Sequence, residues 1–271
     1  MKKVIVNAQW QGGEDLSVFE GAQEIISLYL DGVDYAELPV SMDMKEVAAK
    51  KNGIKGYEIL RKQMQSAYAY ISEDAPDRIL TLGGGCDADV STVVYLNERY
   101  KGDITVLWLD AHGDLNSPAE SSSSLFYGMP LRSLMDDNCF GLLENRFPLK
   151  ASQIVHIGGR DFDDTEKQFI KNSGINAYTV QDIHDDHEMV HRIVDNIQTS
   201  NIYIHLDLDV TDPEEFLNTP LPVGGGLNCE EVYSVLEASS DKMIGLGIYE
   251  YIPSKEINTY IEKLIKFGLA L

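Results

Sequence analysis

Val106-Leu107-Trp108-Leu109-Asp110-Ala111-His112-Gly113-Asp114-Leu115-Asn116 joins an apolar run directly to a set of potential metal ligands. The run starts at Ile104 and stops at a carboxylate, followed at alternate positions by an imidazole and a second carboxylate. A continuous apolar run fits a strand covered on both faces, and ligands bind at the carboxyl ends of parallel strands. Mixed oxygen and imidazole donors suit Mn, Fe or Zn better than Ca or Mg. Ile202-Tyr203-Ile204-His205-Leu206-Asp207-Leu208-Asp209-Val210-Thr211-Asp212-Pro213 repeats the device, with Asp207 and Asp209 spaced to point the same way off a strand end. Each cluster taken alone also fits a solvated turn, with Asp212-Pro213 as turn chemistry. Two acidic strand ends in one α/β pattern favour a shared site.

Outward from these stretches the chain alternates strand and helix patterns. Strands are expected over 4–6, 36–40, 78–82, 153–157, 175–179 and 242–249. Helical spacing covers 54–71, 90–99, 180–199, 230–238 and 254–267, besides a helix through Ile25, Ile26, Leu28 and Leu30. The last strand runs into Glu250, another carboxylate at a strand end. A Ser-rich loop, 117–124, follows the first ligand cluster and is suited to contacting a polar substrate. No repeat or linker divides the chain, so residues 1–271 are expected to form one domain.

Composition limits the partners. Lys and Arg total 22 against 44 Asp and Glu, for a formal net charge of −22, a field that repels nucleic acid and anionic membrane and favours cationic ligands. Cys86, Cys139 and Cys229 are odd in number and far apart, which indicates no disulfide framework. No segment approaches the roughly 18 to 20 apolar residues needed to span a bilayer, and residues 1–7 carry too short an apolar run for a signal peptide. The expected setting is the cytoplasm.

Two other motifs compete. Gly83, Gly85 and Ala88 satisfy G-x-G-x-x-G/A, and Asp110 stands where a ribose-binding acid would, as in an NAD-dependent oxidoreductase. Asp87 and Asp89 would repel a pyrophosphate at that helix entrance, and the fingerprint leaves His112, Asp114, Asp207 and Asp209 unexplained. His187-Glu188-Met189-Val190-His191 matches H-E-x-x-H, but the third ligand of such sites is missing, and a short surface helix between strands explains it as well.

Taken together, from Ile79 to Pro253, these residues resemble the ureohydrolase family of arginases, agmatinases and formiminoglutamases. Asp110-Ala111-His112-Gly113-Asp114 resembles its D-A-H-x-D, and Leu206-Asp207-Leu208-Asp209 with Asp212-Pro213 its x-D-x-D-x-x-D-P. Ile157-Gly158-Gly159-Arg160-Asp161, the loop 222–227 and the segment 248–253 match minor motifs. The resemblance implies a three-layer α/β/α sandwich around a parallel sheet of about eight strands, assembled as a homo-oligomer, a trimer or hexamer. It implies a pair of Mn²⁺ ions bridged by Asp110 and Asp207, with His112 and Asp209 completing one and Asp114 helping to hold the other. It implies a small cationic guanidino or formimino substrate, with Asp114 relaying a proton, Glu250 pairing with the cation, and Asn116 and Ser124 touching its far end.

The chain departs from the family pattern twice. Cys86 stands where many members carry the first metal-binding His, and a variant group with Cys there resembles this chain, including His205 ahead of the Asp pair. As a ligand, a softer thiolate would tilt preference toward Zn²⁺ or Fe²⁺; otherwise Cys86 is an inert buried thiol. Tyr127 stands where arginases and agmatinases use a proton-shuttling His, and a phenol with an ordinary pKa near 10 shuttles poorly at pH 7. The expected function is metal-dependent hydrolysis of a C–N bond. A catalytically impaired member acting as a ligand-binding or partner subunit is the alternative.

Overall fold

Every residue of Ile104–Leu109 is buried. Alternate side chains of a strand leave opposite faces, and here Leu107 and Leu109 enter one apolar core while Ile104, Val106 and Trp108 enter another. A sheet with a core on each face has to be a middle layer. In the computed structural model, which describes residues 1–186 and 188–271, the sheet consists of β1 (Lys2–Val6), β2 (Ala36–Glu37), β3 (Arg78–Leu82), β4 (Ile104–Leu109), β5 (Ile154–Ile157), β6 (Asn176–Tyr178), β7 (Asn201–Asp207) and β8 (Met243–Tyr249). Their order is β2-β1-β3-β8-β7-β4-β5-β6, with every pairing parallel.

Parallel strands need helical crossovers, and these supply the outer layers. Helices α1 (Leu16–Tyr29), α5 (Val180–His184), α6 (Met189–Asp195), α7 (Cys229–Ser239) and α8 (Thr259–Leu269) bury apolar residues in the first core. Helices α2 (Tyr57–Asp74) and α3 (Val90–Arg99) fill the second, and α4 (Asp164–Ser173) packs Phe169 and Ile170 against it. The result is the expected three-layer α/β/α sandwich. No helix among the described residues is long and apolar enough to cross a membrane.

Local contacts move four expected boundaries. The strand over 36–40 shrinks to Ala36–Glu37, the edge of the sheet. The helix over 54–71 starts only at Tyr57, because Ile54–Lys55 pairs with Lys50–Lys51 and Gly56 turns with φ 65°. The final helix begins at Thr259 rather than 254: Glu24 accepts the backbone N–H groups of Ser254 and Lys255, and the Asn258 side chain caps Tyr260 and Ile261. The segment 180–199 divides into α5 and α6. The H-E-x-x-H reading depends on His187, which lies outside the described residues.

The glycine turn after β3 is held by close backbone approach. Gly84 has φ +81°, and a Cβ there would stand 2.4 Å from the Asn7 carbonyl oxygen and 2.7 Å from that of Gln9. Neither neighbour is a side chain able to swing away. Gly84→Ala is therefore expected to destabilise the protein by about 3 kcal/mol, read as a lower urea midpoint with an unchanged slope.

Candidate metal centre

The four central strands β3, β8, β7 and β4 are adjacent in space but far apart in sequence, and their carboxyl ends form one crevice, the usual ligand position in such sheets. At the end of β4, Asp110 Oδ1 accepts the His112 backbone N–H at 2.6 Å, and Oδ2 accepts Trp108 Nε1 at 3.0 Å. At the end of β7, Asp207 Oδ1 accepts the Asp209 N–H at 2.8 Å. Asp209 then crosses to β4, accepting the Ala111 N–H at 2.9 Å and lying 2.8 Å from His112 Nδ1. The glycine turn delivers Cys86, whose thiol donates to Asp207 Oδ2 at 3.1 Å. Its N–H donates to Glu250 Oε1, from the end of β8, at 2.9 Å. Asp114 and Glu250 both adopt left-handed backbone, φ 55° and 59°, a conformation that clusters at functional sites.

Three sets of donor atoms lie within 4.8 Å of one another: Asp110, His112 and Asp209; Cys86, Asp110, Asp114 and His205; and Cys86, Asp207 and Glu250. Asp110 belongs to two sets, so one carboxylate can serve two cations. Cys86, Asp110, Asp114, His205, Asp207 and Asp209 are all buried, Glu250 is half-buried, and His112 keeps 24% of its side chain exposed. His156 hydrogen-bonds the His112 carbonyl through Nε2 at 2.7 Å and steadies the ligand loop.

Crowded acids in low dielectric cannot all ionise. Burial, then the charges of Asp209 and Asp110, push Asp207 well above the usual carboxylate range. Burial and the charge of Asp110 do the same to Asp114. Burial lifts Glu250 to about 8, and burial with the charge of Asp207 raises the Cys86 thiol. Asp110 goes the other way: burial opposes it, but the hydrogen bond to His112 holds its pKa low. Against the lowering effect of burial, contacts with Asp110 and Asp209 bring His112 to about 12. One imidazolium is thus the positive charge this nest of acids has at hand. The buried Asp114 Oδ2 and His205 Nε2 have no hydrogen-bond partner. Orphaned donor atoms beside excess carboxylates are what a divalent cation satisfies, so these residues fit a metal site.

Cys86, His112, Asp114, Asp207, Asp209 and Glu250 line a cavity of about 190 Å³, whose walls also include Asp15, Tyr127, Thr219 and Leu221. Burial, followed by the charges of Asp114 and Glu250 against that of His112, raises the Tyr127 phenol further. Asn116 lies in a neighbouring cavity of about 330 Å³ and is tied to Asp163 at 2.9 Å and Thr165 at 3.2 Å. Ser124 is buried, accepts Lys50 Nζ at 2.6 Å, and lines neither cavity. The dinucleotide reading fails on charge and packing: a Cβ on Gly85 of the glycine turn would stand 2.8 Å from the Asp87 carboxyl and 3.0 Å from that of Glu250, so acids crowd the place a pyrophosphate would need. Sequence reading left three residues without a role. Arg160 donates to the carbonyls of Gly158, Asp209, Val210, Val223 and Gly224, fastening the 223–224 loop beside the site. The others are His205, spaced by two from Asp207 on the same strand face, and its partner Asp89, 116 residues away.

Residues 14–266 match the model of the arginase family. The chain belongs to the arginase family. An arginase of Staphylococcus aureus (strain MRSA252) is 32% identical over 244 residues, covering 86% of this chain and 80% of that one. The fold superimposes on Entamoeba histolytica arginase in complex with L-ornithine, with TM-score 0.86, 20% identity and coverage of 100% and 98%. It also superimposes on Bacillus subtilis formimidoylglutamase, with TM-score 0.71, 16% identity and coverage of 99% and 84%. This arginase-family chain is a hydrolase acting on C–N bonds, and its metal-capable cluster sits at the expected strand ends.

Proposed function

We propose that the protein hydrolyses a C–N bond in a small cationic guanidino or formimino compound, using a pair of divalent cations held at the strand ends. The observation that carries this reading is Asp110, shared by two donor sets whose members His112, Asp209, Cys86 and Asp114 line the cavity. Asp110, His112 and Asp209 would hold one cation; Asp110, Asp114 and Cys86 would hold the other, with Asp207 beside both. Manganese suits the oxygen-rich set, and Zn²⁺ or Fe²⁺ suits the set containing sulfur. Bound there, the cations supply a lowered pKa for water and charge neutralisation in the transition state.

The remaining steps fall to side chains. Glu250 pairs with the amidinium and orients its planar carbon toward the metal ligands. Asp114 takes a proton from the attacking water and returns it to the departing nitrogen. Water thereby adds to the carbon, the C–N bond breaks, and an amine leaves with urea from a guanidino substrate or formamide from a formimino one. Tyr127, raised by burial, stays protonated and does not relay that proton. The cavity suits a substrate of amino-acid size. Three free thiols accord with a cytoplasmic setting, and a trimer or hexamer belongs to this reading as the family's usual assembly.

After dialysis against Mn²⁺ and desalting, elemental analysis is expected to find about two ions per chain, and a screen of guanidino and formimino compounds to find urea or formamide. Absence of bound metal overturns the reading. Metal without turnover favours the ligand-binding alternative, to which the Tyr127 replacement points. The double variant Cys86→His/Tyr127→His separates these cases, because recovery of urea release identifies a decayed site.

A further inference from the structure

His205 is fully buried within an apolar strand, and the proposed chemistry leaves it unused. Its ring is clamped: Trp108, paired with it across β4 and β7, stacks at 3.4 Å with 4° between planes, and Tyr249 stacks on the other side at 4.9 Å and 15°. Nδ1 lies 2.8 Å from Asp89 Oδ2, itself fully buried. The other oxygen of Asp89 accepts the hydroxyls of Tyr203 and Tyr249. An ionised carboxylate can only accept, so the Nδ1–H of His205 donates to Asp89, which leaves the lone pair on Nε2. That atom has no hydrogen-bond partner, and a ring nitrogen of His205 lies within 4.8 Å of ligand atoms of Cys86, Asp110 and Asp114.

We infer that His205 Nε2 is a metal ligand, supplying from β7 the imidazole that Cys86 fails to supply from the glycine turn, with Asp89 as its positioning residue. The inference rests on the metal-centre reading and goes beyond it by reassigning a ligand. Metal–ligand bonds of roughly 2.0–2.3 Å keep donors on one ion no more than about 4–4.6 Å apart, and these donors, all within 4.8 Å of one another, need little movement to close on an ion. Carboxylate–imidazole–metal chains fix ring and tautomer in this way. The two positions then differ chemically. One has nitrogen, sulfur and two carboxylates; the other has the His112 imidazole and carboxylates, so the first selects softer cations.

The test uses protein labelled with ¹⁵N-histidine and titrated with Zn²⁺, observed by NMR. Two ring signals, those of His112 and His205, are expected to shift. The buried Nδ1 proton beside Asp89 identifies the second ring, whereas the buried His156 hydrogen-bonds through Nε2. His205→Gln is expected to abolish one shift and lower zinc from about two ions to one, and Asp89→Asn to weaken that ion by roughly 10- to 100-fold. If Zn²⁺ binds and moves only the His112 signal, the inference is overturned while the metal centre stands. If no zinc binds, both fall. The wild-type titration decides even if His205→Gln does not fold.

Discussion

Metal-free protein is expected to lose thermal stability as the pH rises from 5 to 8, and protein loaded with Mn²⁺ or Zn²⁺ is not. Glu250 titrates at about 8 in the fold and near 4.3 when unfolded. Between those values the native state binds the proton and the unfolded state does not, so stability falls with pH across the interval. Asp87, raised by burial to about 7, and the raised Asp114, Asp207 and Asp209 act in the same direction. His112, raised to about 12, also adds stability that is full below its unfolded pKa and declines above it. Asp110 and Asp77, which are lowered, act below the carboxylate range, outside this window. The displacement of Glu250 alone corresponds to on the order of 5 kcal/mol, a fall in the unfolding midpoint of about 10 °C or more. Cations reverse the sign, because they bind the deprotonated groups and do so better as pH rises. Calorimetry at several pH values, with and without metal, reads the difference. A flat metal-free profile, or a metal-induced gain that does not grow with pH, contradicts this account of the cluster.

The second large effect is expected from Asp110→Asn. Because two donor sets share this carboxylate, its loss removes a charge from both positions. It also removes the charge that attracts the His112 ring, whose Nδ1 lies 3.6 Å from Asp110. Metal content should drop from about two ions per chain to one or none. Hydrolysis should fall by more than about 100-fold, the upper range for losing only an outer partner of a ligand. Asp161→Asn serves as the contrast: Asp161 is 68% exposed and 3.8 Å from His112 Nε2, so its removal should leave metal content unchanged. Equal losses in the two variants would mean that general acidity, not the shared ligand, retains the metal.

The readable parts of the sequence were those with local causes. The strands Arg78–Leu82 and Ile104–Leu109 and the helix Val90–Arg99 match their expected bounds, because apolar runs and a flanking glycine turn determine them within a few residues. Spacing by two at strand ends likewise located Asp110, His112, Asp207 and Asp209. Contacts between distant residues were not readable. Glu24, 230 residues from Ser254, delays the last helix, and Lys50 engages Ser124 outside both cavities near the cluster. His205 sits inside an apolar run and received no role from the sequence. Its parity with Asp207 was visible, but its value depends on Asp89, Trp108 and Tyr249, which only the folded sheet assembles.

The hydrogen bond between the Cys86 N–H and Glu250 spans 164 residues, and the remaining ligands are delivered by β4 and β7 between them. No short fragment of the chain contains the centre, and every ligand-bearing strand must dock in register before a cation meets its full set of donors. Capture of the ion therefore comes late in folding and closes several long loops of the chain at a stroke. Retained metal then marks the molecules whose central sheet is complete, a form of quality control written into the ligand positions themselves.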